Sequence, residues 1–287
     1  MLRSFSEADR AFLDLEYNAR LIAPEFDKEA VYQAASASSL KRGERVPDLV
    51  YDDWSGSKLD IYPAQPGSPL FVWIHGGYWR SSTKEENAFV VPGFVEAGIS
   101  VATVDYTLAP RVSLDEIVRQ VRRSIAWVHR NAAVYGIDVS RLHIGGHSAG
   151  GQLVGMLLAD GWRSQLDLPD DLFGVAATIS GLHDLRPLVH SFVNEPLKLD
   201  EAAAIRNSPL LDLPRQSRAH LIASCGQRES DEFKRQTQTY LQRWTSRGFS
   251  GEEVVMPGFH HFDIILELEK PGNALFDAIR RGIAERH

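Results

Sequence analysis

The chain has 287 residues, of which 44% are hydrophobic and 24% charged, and its 31 basic and 38 acidic side chains leave a formal charge of −7. That length and balance suit one α/β domain over residues 1–287 with a buried sheet, and the acidic excess argues against nucleic acid as a partner, since phosphate recognition needs clustered basic residues. No run nears the roughly 18 consecutive apolar residues of a membrane span, and the single cysteine, Cys225, rules out an intrachain disulfide.

Met1 to Arg10 mixes charges and lacks the apolar stretch of a secretory leader, so the cytoplasm is the expected compartment. From Ser6 to Ile22 the apolar residues Phe12, Leu13, Leu15 and Tyr17 recur at helical spacing and predict one packed helix. Residues 23–45 read as a connecting segment. Val46 to Tyr62 predicts two antiparallel strands about the turn Ser55-Gly56-Ser57.

Leu70-Phe71-Val72-Trp73-Ile74 is the short continuous apolar run of a buried parallel strand, and His75-Gly76-Gly77-Tyr78-Trp79 follows it. Backbone N–H groups in a glycine turn can be aimed at an oxyanion without obstruction by side chains. The segment resembles the histidine-glycine-glycine oxyanion loop of esterases. Gly76 and Gly77, with Ala149 further on, are therefore candidate oxyanion donors, and Tyr78 and Trp79 candidate walls of a substrate pocket. Ile99 to Val104 predicts the next strand, and Asp105-Tyr106 and Leu108-Ala109-Pro110 after it are expected to brace the oxyanion loop. Arg119, Arg122 and Arg123 read as a solvated helix face.

Gly146-His147-Ser148-Ala149-Gly150 lies between the apolar run Leu142 to Gly145 and the helix-like stretch Gln152 to Ala159. This is the strand, sharp turn, helix setting in which G-x-S-x-G presents a nucleophilic serine. Ser148 is the candidate nucleophile, and His147 is expected to pack beside the elbow, facing away from the reacting centre. Val175 to Ile179 adds a strand, and the alternation of strands with helix-period segments predicts a mostly parallel central sheet flanked by helices. Pro187, Pro196 and Pro209 then break up residues 181–210, which read as a small lid in which His183, His190 and Phe192 face Tyr78 and Trp79. No histidine pair has zinc-site spacing, so neither a metal nor another cofactor is expected.

His220 to Cys225 predicts a strand with a buried thiol at its end, followed by Gln227-Arg228-Glu229-Ser230-Asp231. Glu229 sits within the turn and is the better candidate for a catalytic acid. Asp231 reads as the capping residue of the helix through Phe233 and Tyr240. Glu252 to Met256 predicts the last strand, and Pro257-Gly258-Phe259 leads to His260-His261. In α/β-hydrolases the base follows the last strand, after the serine and the acid, so either histidine qualifies by position.

Taken together, the H-G-G-Y-W loop, the G-H-S-A-G elbow, Asn207-Ser208-Pro209, Glu229-Ser230-Asp231-Glu232-Phe233 with Arg235-Gln236, Glu16-Tyr17-Asn18 and the closing His261-Phe262 resemble the kynurenine formamidase (arylformamidase) family, related to the hormone-sensitive-lipase-like esterases. The resemblance implies an α/β-hydrolase fold, with Ser148 as nucleophile, His261 as base and Glu229 as acid, and hydrolysis of N-formyl-L-kynurenine to L-kynurenine and formate. Animal members resemble this stretch with an aspartate in place of Glu229. A carboxylesterase acting on short acyl or aryl esters would use the same residues, whereas a non-catalytic ligand-binding relative would have lost a triad position, and all three are present. The expected partner is a small aryl formamide or ester, with no membrane involved. The number of subunits is left open, a homodimer being among the assemblies allowed.

Overall fold

The computed structural model describes residues 6–42 and 44–286, so the first five residues of the segment read as lacking a leader lie outside the described residues. Eight strands, β1 (Val46–Asp52), β2 (Ser57–Tyr62), β3 (Ser68–Ile74), β4 (Ser100–Val104), β5 (Ile137–His147), β6 (Phe173–Ile179), β7 (His220–Gly226) and β8 (Gly251–Met256), form one sheet in the order β1-β2-β4-β3-β5-β6-β7-β8. β1 pairs antiparallel with β2 and β2 antiparallel with β4, while every other neighbour pair is parallel.

Side-chain alternation along β3 explains why all seven of its residues are buried. Leu70, Val72 and Ile74 enter the core on one face, while Phe71 and Trp73 enter the core on the other. The helices supplying those cores are α1 (Arg10–Glu16), α2 (Lys28–Leu40), α3 (Val91–Glu96), α4 (Leu114–Asn131), α5 (Ala149–Leu158), α6 (Asn194–Leu197), α7 (Glu201–Arg206), α8 (Asp231–Thr245) and α9 (Ala274–Ala284). α4, α5 and α8 cover the first face and α2, α3 and α9 the second. In α4, Leu114, Ile117, Val121, Ile125 and Val128 recur at helical spacing and are buried, and Ser113 Oγ accepts from the Glu116 N–H at 3.3 Å to cap its start. Each such aliphatic side chain contributes about 1.5–3 kcal/mol by burial, so a charge at Ile125 would break this layer.

This is the α/β-hydrolase arrangement, and its parallel strands carry the loops after β3, β5, β7 and β8 to the same edge of the sheet. No helix among the described residues is long and apolar enough to cross a membrane.

Three expectations are corrected. The helix read over Ser6 to Ile22 is only α1, flanked by short 3-10 turns, because the chain turns at Tyr17 and Asn18; Leu13 and Tyr17 are buried while Leu15 is 58% exposed. The connecting segment 23–45 contains the 13-residue α2, capped by Asp27, whose carboxylate accepts from the Ala30 N–H at 3.0 Å. Beside Tyr32, its other two buried positions are Ser36 and Ser39, which weakens the periodic signal. Arg122 is not part of a solvated face: it lies against the Trp162 ring and donates to the Met156 carbonyl at 3.2 Å, whereas Arg119 and Arg123 pair with Asp52.

Candidate active site

β5 runs two residues beyond its predicted end, to His147, and α5 starts at Ala149, leaving Ser148 alone to turn the chain at φ 54° and ψ −117°. A non-glycine residue there costs about 1–3 kcal/mol and persists only where its surroundings enforce it. The Ser148 N–H donates to the Ile179 carbonyl at 2.8 Å, and the Ser148 carbonyl accepts from the Gln152 N–H at 3.1 Å. The flanking glycines are required by contact: a Cβ on Gly146 would lie 2.5 Å from the Gly150 carbonyl oxygen, and one on Gly150 would lie 2.0 Å from that of Ile74. Since Ala149 opens α5, its N–H is one of the helix-start donors without an intrahelical acceptor.

The loop after β3 presses on this elbow, so that a Cβ on Gly76 would sit 3.2 Å from the Ser148 Cβ. Gly77, Tyr78 and Trp79 take positive φ in succession, at 99°, 49° and 56°. The brace expected after β4 is present: the Tyr106 hydroxyl donates to the His75 carbonyl at 3.0 Å, the two rings stack at 4.4 Å, and the Ala109 N–H donates to the Trp79 carbonyl at 2.8 Å. The buried Trp79 indole donates to Gln152 Oε1 at 3.0 Å and does not line the cavity, contrary to the expectation for it.

The turn after β7 folds Glu229 back on its strand, the Glu229 N–H donating to the Gly226 carbonyl at 3.0 Å. Glu229 Oε2 meets His261 Nδ1 at 2.6 Å, and Oε1 accepts from Ser180 Oγ at 2.6 Å and from the Gly226 N–H at 2.8 Å. Burial pushes this carboxyl up, but His261 and those two donors outweigh it and hold the group below its ordinary range. The His261 ring is wedged between Phe233 and His147, each with its centre 4.5 Å away.

The two histidines of the doublet have different surroundings. His260 packs edge-on against Phe26 at 4.9 Å, with Nε2 3.3 Å from Asp263 Oδ2, and does not line the cavity. Asp231 is neither at the site nor a cap: its side chain is 95% exposed beside Lys234, and Ser230 Oγ caps α8 by accepting from the Phe233 N–H.

Ser148, His261, Gly76, Gly77, Tyr78 and Phe192 open onto one cavity of about 340 Å³, within the small-molecule range. His147 lines it too, against expectation, because its ring turns toward His261; burial, then the charge of His261, holds its imidazole well below the ordinary range. The half-buried His190 does not line it, and His183 lies beneath, stacked on Tyr240 at 3.9 Å and bonded to Thr178 Oγ1 at 2.9 Å. Sequence reasoning missed Ser180, whose φ of 51° after β6 aims its hydroxyl at Glu229, and missed the opposite wall, where Tyr17, Arg20, Lys28, Glu29 and Tyr32 face the serine. The Glu16-Tyr17-Asn18 segment was the one signal for that wall. Tyr17 is fixed through its hydroxyl to Glu232 and Gln236, both at 2.8 Å, and its carbonyl accepts from the Tyr78 hydroxyl.

Among the described residues, the carboxylates near enough to share a cation are Asp48, Asp60 and Glu85, away from the cavity. The Lys84 ammonium already sits among them, 3.0 Å from Asp60 and 3.3 Å from Asp48.

With this geometry in view, residues 59–174 match the family model described as BD-FAE. A kynurenine formamidase of Salmo salar is 33% identical over 272 residues, covering 91% of this chain and 90% of that protein. One of Danio rerio is 33% identical over 271 residues, covering 89% and 90%. A solved structure from Silicibacter sp. TM1040, provisionally described as a thioesterase, superposes with a TM-score of 0.78 at 27% identity, covering 95% of this chain and 98% of that one.

Proposed function

Because this chain belongs to the kynurenine formamidase family of α/β-hydrolases, we propose that it hydrolyses N-formyl-L-kynurenine to L-kynurenine and formate, with Ser148, His261 and Glu229 as its triad. The observation that carries the triad is the buried 2.6 Å contact between His261 and Glu229, opening onto the cavity that Ser148 lines. Ser148 Oγ attacks the formyl carbon while His261 takes its proton, and Glu229 holds the ring and stabilises the imidazolium. The N–H groups of Gly76, Gly77 and Ala149 receive the oxyanion. Collapse breaks the C–N bond as His261 returns the proton to the aryl nitrogen, a better leaving group than an alkylamine. Water then releases formate from the formyl-serine by the reverse proton transfers.

A carboxylesterase reading uses the same residues, and it is supported by the 29% identity over 161 residues to a Mycobacterium tuberculosis protein named esterase LipQ. Comparing kcat/KM for N-formyl-L-kynurenine with that for 4-nitrophenyl acetate tests the proposal. A clear preference for the formamide is expected; turnover of the ester alone would overturn it.

A further inference from the structure

The wall facing Ser148 contains a cation that the reaction above leaves without a task. Lys28 is the first residue of α2, its side chain is only 12% exposed, and it lines the catalytic cavity. Its ammonium lies 5.6 Å from the centre of the Tyr32 ring. The nearest carboxylate oxygen, Glu29 Oε1, is 3.7 Å away, beyond hydrogen-bond distance, and that oxygen is engaged at 2.7 Å by Arg20. No acceptor bonds Lys28 Nζ among the described residues. Lys28 lies near the cavity's His147: after burial and His261, it is among the groups that hold that imidazole down.

An ammonium withdrawn from water without a hydrogen-bonded counter-ion is costly, and a carboxylate arriving with the substrate removes that cost. The other cations of the cavity are differently placed. Arg20 is bound to Glu29 and 64% exposed, and Arg80 is exposed, over the Phe192 ring at 6.0 Å. We propose that Lys28 is a specificity-determining residue that binds the carboxylate of an aryl formamide bearing an amino-acid arm, with Glu29 facing the ammonium of the same arm. This rests on the formamidase reading above and deepens it. The bond formed is a charge-assisted one, the stronger kind. A neutral aryl ester or formanilide lacks the group that completes it.

N-formyl-L-kynurenine and N-formylkynuramine differ only in that carboxylate, so the ratio of their kcat/KM values isolates the contact. In the unmodified protein the ratio is expected to favour the carboxylate by about tenfold or more, as a charged hydrogen bond implies. Lys28→Met should bring the ratio close to one, mainly through KM, while Lys28→Arg retains most of it. Lys28→Gln provides a second neutral variant should Lys28→Met unfold. A ratio unaltered by the neutral variants, or an equal fall for both substrates, overturns the proposal. If the unmodified protein hydrolyses 4-nitrophenyl acetate but neither formamide, the formamidase reading fails separately. Lys28 is then judged by inhibition of ester hydrolysis: stronger inhibition by L-kynurenine than by kynuramine, lost on removal of the lysine, upholds the anchor, and equal inhibition overturns it.

Discussion

On one side of the cavity, Ser148, Glu229 and His261 stand at the carboxyl ends of β5, β7 and β8, each 2–3% exposed and held through the sheet backbone. On the other side, residues 17–32 arrive from the beginning of the chain on short helical pieces, with Arg20 and Glu29 more than half exposed and joined by a surface ion pair. The first wall is positioned by parallel strands whose register admits no adjustment without moving the core. The second is anchored by the buried Tyr17 and Tyr32, and its exposed residues Arg20 and Glu29 can change without disturbing the sheet. On the proposed mechanism, chemistry falls to the rigid wall and selectivity to the other.

Substitutions test that division, beginning with the largest effect. Ser148→Ala and His261→Ala should each lower kcat by up to about 10⁶-fold with the fold retained, as members of a triad act as a unit. His260→Ala should cost far less turnover, since its ring contacts Phe26 and Asp263. A larger loss of kcat from His260→Ala would transfer the base to the wrong member of the doublet.

Glu229→Gln should follow, at about 10⁴-fold in kcat, because an amide stabilises neither the needed tautomer nor the imidazolium. The same variant reports on stability against pH. The folded carboxyl is held below its unfolded value, so its contribution is present above the unfolded pKa, about 4.3, and is lost as pH falls through the folded one. Thermal midpoints followed from pH 6 down to pH 3 should therefore fall further for the unmodified protein than for Glu229→Gln; parallel curves would contradict the assignment.

At Phe192, elsewhere in the cavity lining, the effects should be smaller and fall on KM. Phe192 packs edge-on against Tyr78 at 6.3 Å in the cavity lining, and Phe192→Ala should raise KM for aryl formamides by about 10- to 200-fold, given ~1–3 kcal/mol for a small apolar change in a hydrophobic pocket. Equal shifts for aryl formamides and small acyl esters would remove Phe192 from the pocket. The smallest effect contrasts two neighbours just outside the site. Ser230→Ala should destabilise by about 1 kcal/mol as the loss of a cap, while Asp231→Asn should stay within about 0.5 kcal/mol, as for exposed positions. Denaturant unfolding of both decides whether Ser230 is the cap in solution.

Much of the rigid wall was legible in the sequence because its signals are local. A glycine two residues either side of Ser148, two glycines after an apolar strand, and a carboxylate in the turn after another strand all mark backbone constraints that few residue types satisfy. The strand run Leu70 to Ile74 was equally readable, since a strand buried on both faces must be apolar throughout. The other wall was not. α2 has Ser36 and Ser39 at two of its three buried positions, so its amphipathic period is faint, and α1 ends at a turn that no proline or glycine announces. His147 was misjudged because the rule that a nucleophile's neighbours face away ignores the ring opposite, which here draws its imidazole onto the cavity wall.

By itself, then, the sequence announced the parallel sheet, the elbow at Ser148, the glycine loop at Gly76 and Gly77, and the turn carrying Glu229, each through a residue pattern only a few positions long. Only the tertiary structure set His261 rather than His260 against Glu229, moved the cap of α8 from Asp231 to Ser230, brought Ser180 to Glu229, and placed Lys28 in the cavity that Ser148 lines. The cap is a local contact three residues apart, but the other three outcomes depend on which side chains meet across 30 or more residues of chain, and contact at that range follows from how helices pack on the sheet.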